Sequence, residues 1–244
     1  MTPPDEGRRT SVALDDGPLG RVYSDVEAYY GARVAKYGAT PMGVDWSCQA
    51  TQSLRFVQLL KICDFSTPFQ LNDLGCGYGA LCALLDMRHP AACIDYLGVD
   101  LSPAMVSRAR RRFPGPHRRF VVGRASPRVA DYSVASGIMN VNVGYSRAVW
   151  EDFVTEMLRN MRDTSRRGFS VNFISDAAVP KESIDSPAIM LYRTSPAPWV
   201  RFCERDLGCS VEIIGDYGMK EFTLLARPNQ PAQPRDRRDG PCRT

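Results

Sequence analysis

Hydrophobic and polar positions repeat along this chain with two different periods, which predict alternating helices and strands. Two amphipathic segments come first, and each predicts a helix. The segment SDVEAYYGARVAKYG begins at Ser24, a good N-cap, and ends at Gly38, a good C′ residue. After the loop ATPMGVDW, the segment SCQATQSLRFVQLLKIC places apolar residues at helical spacing, and Ser47 is predicted to cap it.

Short apolar runs bounded by turn residues follow, and they predict strands. In chain order the strands are FQLNDLG, IDYLGVD, RRFVVG, DYSVASGI and RGFSVNFIS. The predicted helices are YGALCALLDM, SPAMVSRARRRF, RAVWEDFVTEMLRNM and PAPWVRFCERDLG. The second of these has Ser102 as its N-cap and Pro103 at its first position. A long loop is predicted over 176–195, and SVEIIGDYGMKEFTLLAR predicts a terminal hairpin.

This order of elements predicts a fold of the α/β class. Strands that alternate with helices form a mostly parallel sheet with helices on both faces. We therefore expect a doubly wound, seven-stranded, mostly parallel sheet with an antiparallel C-terminal hairpin strand, plus two N-terminal lid helices. Residues 20–226 are predicted to form one domain, with the lid over 20–66 and the core over 67–226. Residues 1–19 are predicted to be a disordered tail, and 227–244 a flexible Pro/Arg-rich tail.

The composition is that of an ordinary globular protein, with 44% hydrophobic and 24% charged residues. No apolar run approaches the roughly 18–20 residues that cross a bilayer, and MTPPDEGRRT lacks the apolar region of a signal peptide. The eight cysteines show no C-x-x-C spacing and no clustering with histidine, so they predict reduced thiols and no metal site. We expect a cytoplasmic protein without a membrane partner. Its net charge of +4 is weak evidence for a polyanionic partner.

The first predicted strand runs into a glycine-rich turn, LNDLGCGYGA, at residues 71–80. Glycines let the backbone approach a ligand closely, and the helix that follows presents unpaired N–H groups. A P-loop is excluded because no Gly-Lys-Ser/Thr follows. A dinucleotide site prefers G-x-G-x-x-G, and here Gly79 comes one residue early. Ala80 occupies the place of the third glycine and is tolerated there, so spacing alone leaves NAD open.

The run DLGCGYG, with Asp73 before the glycines, resembles motif I of the class I methyltransferases that use S-adenosylmethionine (SAM). The segments YLGVDLSPAMVSRARRRF, DYSVASGIMN and DYGMKEFTLLAR resemble later parts of that family in the same order, so the resemblance covers about residues 70–226. It implies a Rossmann-like core, SAM as cofactor and S-adenosylhomocysteine as product. An NAD-dependent oxidoreductase shares the fold, but Asp73 and the early Gly79 argue against it.

The resemblance also implies roles for single residues. In the family, the acid that ends the second strand accepts hydrogen bonds from the ribose hydroxyls of SAM, and here it is Asp100. A carboxylate fixed at a strand end is a bidentate acceptor for a vicinal diol. Leu101 and Met105 match the apolar residues that pack against adenine. The implied cofactor residues are Asp73, Gly75, Cys76, Gly77, Asp100, Leu101, Ser102, Met105, Ala125 and Ser136.

The chain departs from the family after the third strand. The family often has an acid there that contacts the adenine amino group, whereas this chain has RAS at 124–126. Backbone groups around Ala125 or the Ser126 hydroxyl are the alternatives for reading adenine.

Transfer from a methyl sulfonium requires mainly alignment of the acceptor and exclusion of water, so positioning is expected to supply most of the catalysis. A base is needed only if the acceptor must lose a proton. The candidate catalytic residues are Asn140, Asp45 and Glu221. The candidate substrate-binding residues are Tyr29, Tyr30, Trp46, Gln52, Asn140 and Asn142. Asn140 and Asn142 are equally expected to cap their own loop, and adjacent aromatic residues commonly serve packing.

We therefore expect in-line methyl transfer to an N, O, S or C atom of a small-molecule acceptor in specialised metabolism. The N-terminal pattern YY…KYGATPMGVDW also resembles bacterial small-molecule methyltransferases. Two alternatives stay open. One is an RNA methyltransferase that uses the basic face Arg108–Arg119, although no aromatic residues interleave with these arginines as in single-strand binders. The other is a SAM-binding protein without catalysis.

Overall fold

The computed structural model describes residues 19–38, 40–44, 49–177 and 191–229. Its helices are α1 (Gly20–Tyr37), α2 (Gln49–Leu59), α3 (Ala80–Arg88), α4 (Pro103–Arg112), α5 (Arg147–Asp163) and α6 (Pro196–Arg205). Short 3₁₀ turns cover Pro41–Val44 and Leu60–Ile62. Its strands are β1 (Phe69–Leu74), β2 (Ile94–Asp100), β3 (Arg118–Val122), β4 (Ala130–Ala135), β5 (Ser165–Ser175), β6 (Arg193–Thr194), β7 (Cys209–Ile214) and β8 (Glu221–Pro228).

The strands form one twisted sheet in the order β3-β2-β1-β4-β5-β8-β7, with β6 paired to β5 off this path. Strands β1 to β5 are parallel, and β8 runs antiparallel to both of its neighbours. The predicted fold class is therefore confirmed. One detail differs from the prediction, because the short strand β6 lies within the segment predicted as a loop. The antiparallel strand β8 lies between β5 and β7.

Two hydrophobic clusters cover the two faces of this sheet. One contains side chains of α1, α5 and α6, and the other contains side chains of α2, α3 and α4. The consecutive residues Leu224 and Leu225 belong to different clusters, as expected because neighbouring side chains of a strand point to opposite faces. The central strands of the sheet are thus buried on both sides, whereas the edge strands β3 and β7 are partly exposed.

The helix ends show where local sequence decides structure and where packing decides it. Ser102 caps α4 by accepting the Met105 N–H at 3.4 Å, and Gly38 ends α1 at φ +71°, so both predictions are confirmed. The prediction that Ser24 begins α1 was wrong, because the helix starts at Gly20. Val22 and Tyr23 are buried against the core. Their burial extends the helix toward its N-terminus, past Ser24.

Some predictions fall on residues outside the described ranges. These are the capping role of Ser47, most of the tails predicted over 1–19 and 227–244, and positions 178–190 of the predicted loop. Within the described ranges, no helix combines the length and the hydropathy that a membrane span requires.

Candidate functional site

A pocket opens at the carboxyl ends of β1, β2 and β4. Strand β1 pairs with β2 on one side and with β4 on the other, so the chain leaves the sheet there toward opposite edges. Ligands of open α/β sheets bind in the crevice that such a reversal creates. The register places Leu74 beside Val99 and beside Ala135, so the three strands end at one level. The turn after β1 forms the floor of the pocket, and α1 and α2 cover it.

Nine of the predicted cofactor residues line this pocket. They are Asp73, Gly75, Cys76, Gly77, Asp100, Leu101, Ser102, Met105 and Ser136. The tenth, Ala125, does not line it, and Gly123 and Arg124 do instead. The backbone after β3 therefore reaches the pocket one residue earlier than expected.

The glycine turn lies so close to the loop after β4 that a side chain is excluded at Gly75. A Cβ atom on Gly75 would lie 2.1 Å from Ile138 Cγ2, and Gly75 has a φ of +72°, which side-chain-bearing residues rarely adopt. Gly77 has a φ of +52°, and its N–H donates to Asp100 Oδ2 at 2.8 Å. The turn is thus a narrow cradle of backbone tied to the end of β2.

Asp100 is held by two backbone bonds at the mouth of this cradle. Its Oδ2 accepts from Gly77, and its Oδ1 accepts the Ser102 N–H at 2.8 Å. A carboxylate has about four acceptor sites, so two remain for a ligand. Burial raises the pKa of Asp100, the two N–H bonds lower it in part, and the charge of Glu27 raises it further. The carboxylate is therefore fixed in place but incompletely satisfied.

Asp73 lies deeper, at the end of β1, with 2% of its surface exposed. Its Oδ2 accepts a hydrogen bond from the Tyr96 hydroxyl at 2.5 Å. Burial raises the pKa of Asp73 to about 7, the Tyr96 bond opposes this shift, and the charge of Asp100 adds to it. A substantial share of Asp73 is consequently protonated near neutral pH.

Ser136 supplies a hydroxyl from the loop after β4. Its Oγ atom is buried and has no hydrogen-bond partner in the described part of the chain, although it faces a pocket. A buried polar atom without a partner costs free energy, so this hydroxyl fits a ligand that pairs with it. The backbone next to it is fixed, because the Gly137 N–H donates to Asn172 Oδ1 at 2.9 Å.

Helix α1 presents one face to the pocket, with Tyr23, Glu27 and Tyr30 at helical spacing. Tyr29 does not line the pocket, because adjacent helical residues point about 100° apart. Its ring instead packs edge-on against Tyr30, with 5.1 Å between centroids. The helical spacing of Tyr23, Val26, Glu27 and Tyr30 is visible in the sequence. It would have identified Glu27, which was not among the predicted site residues.

Helix α2 contributes Gln52 and Phe56 to the opposite wall. Gln52 Oε1 accepts a hydrogen bond from the Tyr78 hydroxyl at 3.3 Å, and Tyr78 belongs to the glycine turn. Further apolar lining comes from Phe153 and Met157 of α5, which the sequence analysis also missed. The result is a largely apolar and aromatic wall with one buried polar pair.

The remaining candidates lie elsewhere. Asn140 is buried, and its Oδ1 accepts the Ile174 N–H at 3.3 Å. Asn142 caps its own loop, since Oδ1 accepts from Gly144 and Nδ2 donates to the Tyr145 carbonyl. Glu221 forms a buried ion pair with Arg55. None of these three is among the pocket-lining residues. The candidates Asp45 and Trp46 lie outside the described residues.

Three arginines of the predicted basic face contact the protein itself. Arg110 donates to the Phe120 carbonyl, Arg118 pairs with Asp86, and Arg119 pairs with Asp95. Within the described ranges, no group of three or more His, Cys, Asp or Glu side chains could hold a metal ion. The polar groups that line the pocket are carboxylates, hydroxyls, an amide, the Cys76 thiol, the Arg124 guanidinium and the backbone.

Comparison with known proteins identifies the family. The profile described as "Methyltransferase domain" matches residues 72–168. The Mycobacterium tuberculosis protein named "Putative methyltransferase Rv1506c" is 39% identical over 169 residues, which is 69% of this chain and 98% of that protein. Two solved structures with bound SAM share the fold. Magnesium protoporphyrin IX methyltransferase of Synechocystis has a TM-score of 0.58 at 16% identity, over 90% of this chain and 100% of its own. Human N-acetylserotonin methyltransferase has a TM-score of 0.60 at 17% identity, over 87% and 60%. This chain therefore belongs to the methyltransferases, and it has the class I fold of these two SAM-bound structures.

Proposed function

We propose that this enzyme methylates a small, largely apolar acceptor bound between α1, α2 and the glycine turn. The observation that carries the proposal is one continuous pocket, in which the Asp100 carboxylate and the glycine cradle face the apolar wall of α1 and α2. The names of two structural neighbours, which specify magnesium protoporphyrin IX and N-acetylserotonin, also support a small-molecule acceptor.

In this proposal the cofactor follows the floor of the pocket. Asp100 accepts hydrogen bonds from the ribose hydroxyls with its two remaining acceptor sites. Leu101 and Met105 give the adenine an apolar surface, and the methionine part follows the backbone of the glycine turn. The buried Ser136 hydroxyl gains the partner that it otherwise lacks.

The acceptor occupies the wall formed by α1 and α2. The Gln52–Tyr78 pair is one polar feature of that wall, beside the Glu27 carboxylate, and it can orient one polar group of the acceptor. The two helices exclude water, and the walls align the acceptor atom with the S–CH₃ bond. Glu221 is not proposed as a base, because it pairs with Arg55, and Asn140 is not proposed to orient the acceptor, because it does not line the pocket. Positioning therefore supplies most of the rate enhancement.

We do not include a nucleic acid among the acceptors. Three of the arginines that suggested one are already engaged by protein groups, and Arg112 lies over the rings of Tyr78 and Phe113. The acceptor atom, a place in specialised metabolism and a cytoplasmic location stay predictions from the sequence.

Calorimetric titration with S-adenosylhomocysteine tests the cofactor site. The Asp100→Ala variant loses two charge-assisted hydrogen bonds, each worth about 1.5–3 kcal/mol, so its Kd should rise by roughly two to four orders of magnitude. Asp100→Asn keeps one acceptor oxygen, so its Kd should lie between those of Asp100→Ala and the wild type. Asp86→Asn breaks the exposed ion pair with Arg118 and is the matched control. Wild-type affinity in Asp100→Ala would contradict the ribose assignment.

A screen with labelled SAM tests the acceptor. Neutral aromatic molecules with one hydroxyl or amino group should be methylated, whereas RNA fragments should not. Methyl transfer to RNA in preference to every small molecule would contradict the proposal. Tight binding of NADH without binding of S-adenosylhomocysteine would contradict the cofactor placement itself.

A further inference from the structure

A chain of buried polar side chains lies directly behind the pocket. The Arg55 guanidinium of α2 donates to both carboxylate oxygens of Glu221 on β8, and its Nε bond to Oε2 is 2.5 Å. Asn172 of β5 donates its Nδ2 to Glu221 Oε2 at 3.3 Å. The three residues are 6%, 7% and 0% exposed in that order. They form a continuous network from a helix to two strands of the sheet, which we call the Arg55 network.

Both ends of the Arg55 network reach the pocket wall. At one end, Asn172 Oδ1 accepts the Gly137 N–H at 2.9 Å, and Gly137 belongs to the pocket-lining loop that carries the unpartnered Ser136 hydroxyl. At the other end, Arg55 lies on α2 between the pocket residues Gln52 and Phe56. The network thus joins the acceptor wall to the cofactor wall through side chains that do not line the pocket.

The arrangement is costly, which argues that it has a specific role. Burial of an arginine and a carboxylate gains little stability over an apolar pair of similar size, because desolvation offsets the attraction. What the planar guanidinium adds is direction, because its bidentate contact fixes both distance and angle. The Glu221 carboxylate is also occupied by three donor groups, so it is not available to take a proton from an acceptor.

We infer that Arg55, Glu221 and Asn172 are positioning residues for methyl transfer. They set the separation between α2, which orients the acceptor through Gln52, and the Ser136–Ile138 loop, which contacts the cofactor. This inference rests on the proposed function. It assigns Glu221 a role different from the base that its residue type suggests.

The Gly137 amide is the reporter for the test, because Asn172 is its hydrogen-bond acceptor. Amide hydrogen exchange is measured by NMR in the wild type, in Asn172→Ala and in the double variant Arg55→Met/Glu221→Met. The double variant replaces a buried ion pair by apolar side chains, a change that folded proteins tolerate. Val171, the preceding residue of β5, reports general loosening of the sheet, and Asp86→Asn is the matched ion-pair control. The Kd for S-adenosylhomocysteine is measured on the same samples.

We expect Gly137 exchange to be about tenfold faster in both network variants, with Val171 unchanged and with a Kd raised by about three- to tenfold. Asp86→Asn should change neither quantity. Equally faster amide exchange at Val171 would show that the network has only a structural role and would overturn the inference. An unchanged exchange rate at Gly137 or an unchanged Kd would also overturn it. If the double variant does not fold, Arg55→Lys provides the same comparison, because it keeps the charge and loses the bidentate contact. A wild type that does not bind S-adenosylhomocysteine would instead refute the proposed cofactor site, while the exchange data would still report on the network.

Discussion

Replacing Asp73 by asparagine tests the electrostatics of the pocket floor. Asp73 is almost fully buried, and burial raises its pKa from 3.8 to about 7. Asparagine has the shape of the neutral acid and keeps an oxygen that can accept the Tyr96 hydrogen bond. The variant thus compares a side chain that is always neutral with one that ionises as the pH rises through about 7.

The magnitude follows from the two pKa values of this carboxyl, about 7 in the folded chain and 3.8 in the unfolded chain. Between these values the folded state binds a proton that the unfolded state has lost. The free energy of unfolding of the wild type therefore falls by about 1.4 kcal/mol for each unit of rising pH. Over roughly three units the loss sums to about 4 kcal/mol, and it is complete above about pH 7. Asp73→Asn should be more stable than the wild type by about that amount near pH 8, and the difference should disappear toward about pH 4.

Urea unfolding at a series of pH values measures this difference. Subtracting the wild-type curve from the Asp73→Asn curve cancels the titrating groups that do not interact with Asp73, whereas Asp100 interacts with it and contributes to the same difference. The slope of the difference is the decisive quantity, since a constant offset reports only how well asparagine packs. A difference that is independent of pH, or one that grows toward low pH, would refute the assigned pKa shift and its origin in burial.

Three further predictions use single substitutions. Tyr30→Ala should raise the KM for the acceptor by about tenfold in isotope-labelled transfer assays. Tyr29→Ala should change this KM by no more than about twofold, since Tyr30 lines the pocket and Tyr29 does not. Ser136→Ala should leave the free energy of unfolding within about 0.5 kcal/mol of the wild type, because its hydroxyl lacks a partner, but should weaken S-adenosylhomocysteine binding by about fivefold. Gly98→Ala should destabilise the chain by about 1–3 kcal/mol in thermal unfolding, since a Cβ atom would lie 2.7 Å from Cys76 Sγ. Equal effects at the two tyrosines, a marked stability loss in Ser136→Ala, or an unchanged Tm in Gly98→Ala would contradict the respective argument.

The sequence predicts the core of this fold because its signals are local. The central parallel strands β1, β2 and β4 are mostly buried along their length, and α4 has its own capping residue, Ser102. The residues that meet in the pocket could be named for the same reason. Asp73 lies next to the last residue of β1 and Asp100 ends the neighbouring β2, and the carboxyl ends of parallel strands lie at one edge of a sheet.

Prediction was weaker for the helices that cover the pocket. The face that a helix presents depends on what it packs against, and two adjacent tyrosines give no local indication of which one points inward. The burial of Tyr23 both extends α1 beyond Ser24 and fixes its rotation, so that Glu27 and Tyr30 line the pocket. Periodicity contained part of this information, but choosing residues by chemical type alone overlooked it.

The Arg55 network shows why some residues could not be assigned at all. Arg55 and Glu221 are separated by 166 positions, and their contact exists only because β8 inserts between β5 and β7 and starts level with the end of β5. Viewed alone, a glutamate after a glycine-rich turn resembles a base, and an arginine on an amphipathic helix resembles a solvated surface charge. Together in the interior they neutralise each other, and Asn172 relays their position to the loop beside the cofactor cradle. The chemical role of an ionisable residue is therefore fixed by its partner, and that partner is determined by sheet topology, which residue type and local spacing do not encode.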